Sequence, residues 1–200
     1  MEMWCLKIVH NLKNEKMKNI IIIILIGFLF MSSTLNCKAQ SNFPQDGDNI
    51  VNNHINKFVG TWVWTSGNTS LQLVLKKENV KQPYGNNIYA DVIIGFHKYT
   101  DNGNIIENST QYSNETFSFS YKGNSTIYGS TEESKPNTLN GGMTHLSKNK
   151  NLTFQIEYID ATHIKLVKLK NTAGIKFRKP TDPPFDGTIT LPQNIILTKQ

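Results

Sequence analysis

Cysteine is almost missing from this chain. There are 2 in 200 residues, Cys5 and Cys37, and both lie near the start, so the body of the protein cannot hold a disulfide and its stability has to come from packing. Arginine is scarcer still, since Arg178 stands alone among scattered lysines. Readers of nucleic acid cluster Lys and Arg on one face and use arginine on base edges and phosphates, so that class of partner is excluded. The longest apolar run, Ile20 to Met31, is well short of the roughly 20 residues that a membrane-crossing helix needs. No HxH, HExxH or cysteine pair supplies metal-ligand spacing, and no GxSxG or phosphate-cradling glycine pattern occurs. No metal, no cofactor and no enzymatic activity are expected.

What is present begins at Met17. The stretch MKNIIIIILIGFLFMSSTLNCKAQ carries a lysine, the apolar run and then small polar residues, which is the pattern of a secretory leader over 17–39. Residues 1–16 add nothing to it and are read as an over-extended start. Two processing sites compete. Cleavage after Cys37-Lys38-Ala39 would free a chain starting at Gln40, whereas Cys37 also resembles the acylated cysteine of bacterial lipoproteins, and a diacyl-glyceryl group there would be the only membrane attachment. Either route leads to secretion or to the cell envelope, in the periplasm or on a lipid-anchored outer-membrane protein. The whole chain has a net charge of +6; from Gln40 onward, 16 basic against 13 acidic side chains leave +3.

Beyond a polar lead-in at 40–56, read as a loose tether or a short helix, the hydrophobic period becomes two. Leu71, Leu73 and Leu75 alternate with polar neighbours. So do Ala90, Val92, Ile94 and Phe96, then Phe117, Phe119 and Tyr121, then Leu152, Phe154, Ile156 and Tyr158. Turn residues fall between these runs, with Asn102-Gly103 the strongest hairpin signal and Gly67-Asn68, Asn140 to Gly142, Asn149 to Asn151 and Asp160-Ala161 marking others. The pattern predicts an all-β domain over 57–200, a single antiparallel barrel or barrel-like meander of about 8 to 10 strands. The last strand is expected from Ile189 to Thr198, with Pro192 at an edge or a bulge.

In FVGTWVW, extended geometry puts Phe58, Gly60, Trp62 and Trp64 on one side, the inner wall of the barrel. Gly60-Thr61-Trp62 resembles the first strand of lipocalin-like barrels, in which that tryptophan packs against a basic residue late in the chain; here the resemblance points to Arg178. Over a longer span, FVGTWVW, the block from Tyr89 to Ser109 and the closing LPQNIILTK are similar to a family of exported bacterial proteins known as a domain of unknown function. That resemblance implies an envelope β domain after a leader and assigns no functional residues.

Two function classes follow. In the first, the barrel holds a small apolar ligand, with Phe58, Trp62, Trp64, His97 and Tyr99 as candidate lining residues. In the second, it is a structural or protein-interaction domain of the envelope with no ligand cavity, meeting an envelope protein through tyrosines such as Tyr84, Tyr112 and Tyr128. A hydrolase would rest on His97 alone: a strand rise of about 3.4 Å per residue sets Asp91 some 20 Å from it and leaves only Tyr99, about 7 Å away, as a local partner. The blander expectation for His97 is an outward or rim position, and His54, His145 and His163 read as isolated.

Overall fold

Strand β2, Gly60–Ser66, turns at Gly67 (φ +57°) and Asn68 into β3, Thr69–Lys81, which pairs in turn with β4, Tyr89–Asp101. The computed structural model describes residues 44–83, 87–115, 117, 123–172 and 184–200. The leader, Cys37, Tyr84, Arg178 and 118–121 of the strand expected around Phe117 lie outside them. Asn102 and Gly103 both take positive φ, +49° and +81°, the type I′ geometry that suits the right-handed twist of the strands they join, and lead β4 into β5, Asn104–Asn108.

The remaining strands are β6 (Ile127–Glu132), β7 (Lys135–His145), β8 (Lys150–Asp160), β9 (His163–Asn171) and β10 (Ile195–Lys199). Each pairs antiparallel with the next, β4 pairs with β6, and β10 pairs with β2. Eight strands therefore close into an up-and-down barrel, β2-β3-β4-β6-β7-β8-β9-β10, which leaves the ring without an edge. Two short strands sit outside the ring on β4: β5, and β1 (Asn49–Ile50), which pairs parallel.

Among the described residues, apolar side chains pack the interior. Leu71, Leu73 and Leu75 face Tyr99, His97 and Gly95 across the β3–β4 ladder, and Ile93, Ile127, Leu139, Leu152, Phe154, Ile164, Leu166 and Leu197 complete the packing. A large apolar side chain removed from water in this way contributes about 1.5–3 kcal/mol. The outer face of β4 is covered as well: Val92, Ile94 and Phe96 join Val80 in a second cluster, with Phe117 resting 6.0 Å from Phe96. The alternation expected on β4 therefore took its outer set for the buried face: Ile93, Gly95, His97 and Tyr99 face the interior, and Val92, Ile94 and Phe96 face outward under this second cluster.

Three further expectations change. Asn140 to Gly142, expected as a reversal, run inside β7. The lead-in, read as a loose tether or a short helix, ends in Asn53–Phe58, a 3-10 helix capped by the Asn52 side chain, with Ile55 and Phe58 fully buried. Phe58 thus reaches the core from this helix and not from the first long strand. The last strand begins at Ile195 and not at Ile189, since Pro192 has no N–H to give a ladder, and 184–194 runs as irregular chain.

Candidate functional site

The two ends of the barrel are closed by different chemistry. At the first end the 3-10 helix lies against β3, β4, β6 and β7. Trp62 is fully buried, its Nε1 donating to the Phe58 carbonyl at 2.8 Å, and Phe58 meets Tyr158 edge-on at 6.0 Å. Lys199, the direct partner of Trp62 across β10 and β2, lays its ammonium 5.1 Å from the indole centroid. Gly60 makes room for it. A Cβ there would stand 2.7 Å from Lys199 Cε, and the backbone already sits at φ +140°. Lys199 on the closing strand is therefore a basic residue that covers the tryptophan, whereas Arg178, the partner expected from the resemblance, lies outside the described residues.

Asp91 anchors the lead-in at this end. Its carboxylate accepts from Lys77 Nζ at 2.8 Å, Asn79 Nδ2 at 2.9 Å and the Asn52 amide at 3.0 Å. Burial acts to raise its pKa, and the bonds from Lys77, Asn79 and Asn52 outweigh it, leaving the group below the usual carboxylate range. It has no part in the surroundings of His97.

The second end is organised around Glu107. A register shift between Tyr99 and Thr100 lets Glu107 pair with Tyr99, so the carboxylate turns inward while Ile105 and Ile106 face solvent. Oε2 accepts from His97 Nε2 at 2.7 Å and the Leu146 amide at 3.0 Å; Oε1 accepts from His145 Nδ1 at 2.5 Å, the Ser147 amide at 3.1 Å and the Ser147 hydroxyl at 2.5 Å. Five donors converge on one carboxyl. Burial would raise its pKa, yet the bonds from His97 and Ser147 dominate and hold it at about 2. Glu107 is ionised, and its field together with burial and Asp101 pushes the Tyr99 phenol upward, burial being the largest cause.

The hydrogen-bond partners fix the tautomer of His145. Its Nε2 faces the Thr190 amide at 3.2 Å and the Thr190 hydroxyl at 3.1 Å. A main-chain N–H can only donate, so Nε2 is the acceptor and Nδ1 carries the proton given to Glu107. His97 differs. Its Nδ1 is 2.8 Å from the Thr126 hydroxyl, which is 3.0 Å from the Ser109 hydroxyl, and Ser109 itself is tied to the main-chain N–H and carbonyl of His97. Glu107, His97 and Thr126 thus follow the acid–imidazole–hydroxyl order used to activate nucleophiles. Both imidazoles are nevertheless fully buried, and all of their ring nitrogens are engaged.

Irregular chain from Asp186 to Gln193 crosses this end as a strap. Lys150 Nζ donates to the carbonyls of Asp186 and Thr188, Lys148 pairs with Asp186 at 2.6 Å, Asn171 donates to Gly187 at 2.8 Å, and Leu191 is buried in the core.

The residues singled out from the sequence are thus distributed as follows. Phe58, Trp62 and Tyr99 belong to the central core, and Trp64 is half-buried against it. His97 points inward and is fully buried, not at a rim, and its partners are Glu107 and Thr126 rather than Tyr99. His145 is not isolated but shares Glu107 with His97, and His163 bonds Asp160 at 3.0 Å. Among the described residues no group of three His, Cys, Asp or Glu is placed to hold a metal ion. Open recesses occur among the described residues: one of about 410 Å³ bordered by Thr126, Ile127, Gly142, Met143 and Leu152, one of about 500 Å³ lined by Ile50 to His54 with Thr131 and Glu133, and one of about 390 Å³ bordered by Ser109, Tyr112, Thr126 and Leu146.

A family model described as a family of unknown function (DUF6705) matches residues 17–200. No curated protein and no solved structure matches the chain.

Proposed function

The chain belongs to DUF6705, and we propose that it is an exported β-barrel domain of the cell envelope that works by contact through its outer surface, as a structural or protein-interaction module without a catalytic centre. The observation that carries this reading is the filled interior. Ile55, Phe58 and Trp62 occupy one end, Glu107 with its two histidines and Leu191 occupy the other, and the leucines of β3 lie between. A barrel packed in this way is a rigid scaffold, since interiors at close-packed density leave no room for a guest without displacing side chains. The leader from Met17 supports export, and a lipid on Cys37 would hold the domain at a membrane surface. The complete burial of His97 argues for a supporting role over a catalytic one, because a general base has to reach the proton that it takes.

The small-apolar-ligand reading retains two supporting features, the half-buried Trp64 against the edge of the core and the open recess of about 410 Å³ that reaches Ile127, Met143 and Leu152. Titrating the domain with fluorescent fatty acids, retinoids and haem while following tryptophan emission separates the two. The expected result is no saturable change with any of them, together with a discrete cross-linked adduct when the full chain is treated in its native envelope. A saturable emission change lost in Trp64→Ala, with no adduct, would replace the contact reading with the ligand one.

A further inference from the structure

Among the bonds that hold the strap over the second end, the one to His145 depends on one proton. His145 Nε2 accepts from the main-chain N–H of Thr190 at 3.2 Å and from its hydroxyl at 3.1 Å. The hydroxyl can turn to accept instead of donating, but the main-chain amide cannot. A second proton on His145 would therefore set N–H against N–H at the point where the strap meets the barrel. We infer that His145 is a proton-operated latch: neutral, it holds Thr190 and keeps Leu191 seated in the core; doubly protonated, it lets the strap go and uncovers the end of the barrel.

The surroundings are built for this. The titratable and charged groups facing His145 are Glu107 from β5, His97 from β4 through Glu107, and Lys150 at the start of β8; Asp186 on the strap is already taken by Lys148 and Thr188. Glu107 has its five donors in place whichever state His145 takes, so it stays as a fixed anion and the proton changes only the Thr190 side of the ring. Burial, reinforced by Lys150 and His97 and opposed by Glu107, keeps the latched imidazole below its ordinary range. In the open strap that burial is relieved, so acid favours opening. The driving force starts as pH falls below the ordinary imidazole value of about 6.5 and grows by up to about tenfold per pH unit.

Amide exchange of the full domain, corrected for the intrinsic pH dependence of exchange, tests this between about pH 7.5 and about pH 5.5, above the range where ordinary carboxylates protonate. The expected result is that protection of the Thr190 amide falls as pH drops below about 6.5, by at most about tenfold per pH unit, while Leu73 and Ile94 in the barrel ladders hold theirs. In His145→Gln, whose side-chain oxygen accepts without titrating, protection should be flat with pH. Constant protection in the wild type, an equal fall in His145→Gln, or a parallel loss at Leu73 would each overturn the latch. A second measurement needs no variant: nitrogen shifts of the wild-type imidazole near neutral pH should report Nδ1–H with Nε2 unprotonated, and an Nε2–H form would overturn it equally.

Discussion

Lys199 and Trp62 are direct partners across the β10–β2 seam, with the ammonium 5.1 Å from the indole centroid. This pair joins the last strand of the barrel to the first, so it stands where closure is completed. The contact is a cation held over an aromatic face, and the aliphatic stem of the lysine shields the ring from water.

Lys199→Ala should lower stability by about 0.5–2 kcal/mol, read as an earlier urea midpoint with an unchanged slope. Gly60→Ala should cost about 1–3 kcal/mol, because the new Cβ meets Lys199 Cε and the backbone at φ +140° disfavours any L side chain. The double variant recovers the steric part and not the conformational part. A double-mutant cycle with strictly additive losses would show that the glycine makes no room for the lysine.

Glu107 gives the domain a defined acid response. Its pKa is lowered from 4.5 to about 2, so the stabilisation is fully present above the unfolded value and is lost as pH falls through the folded one. The lowering corresponds to roughly 3 kcal/mol lost on acidification. Glu107→Gln should be less stable than wild type at neutral pH by about 3–5 kcal/mol, through donors left facing a neutral amide, and its stability should vary less with pH across that window. Denaturant melts at several pH values check both. A wild-type curve no steeper in acid than that of the variant would refute the assignment.

Ile105 and Ile106 stand next to Glu107 in sequence yet are 59% and 44% exposed. Ile105→Ser and Ile106→Ser should each change stability by no more than about 0.5 kcal/mol. Thermal melts would settle it, and a loss of about 2 kcal/mol at either position would mean that the bulge does not turn Glu107 inward.

The strand pattern was legible because alternation is local. Leu71, Leu73 and Leu75 announce one buried face, and Asn102-Gly103 announces the hairpin that follows β4. The Glu107 cluster was not. An Ile-Ile-Glu run suggests a buried isoleucine and an exposed acid, and only the register shift beside Tyr99 reverses that reading. His145 looked isolated because its partner is 38 residues away in the chain, and no local period carries that distance. Trp62 was correctly read as inward, whereas Lys199 was not singled out as a cation over it because nothing in the sequence says which late residue closes the ring.

By itself the sequence determined the β class and most of the strand faces and turns, the inner face of β4 and the expected reversal at Asn140 to Gly142 excepted, since each follows from the conformational preference of a few neighbouring residues. The tertiary structure decided which strands meet at the seam, which ends are sealed, and that one glutamate, two histidines and a threonine on the strap form a single network. Those outcomes depend on long-range pairing and shared burial, which take physical form only once β10 has closed against β2.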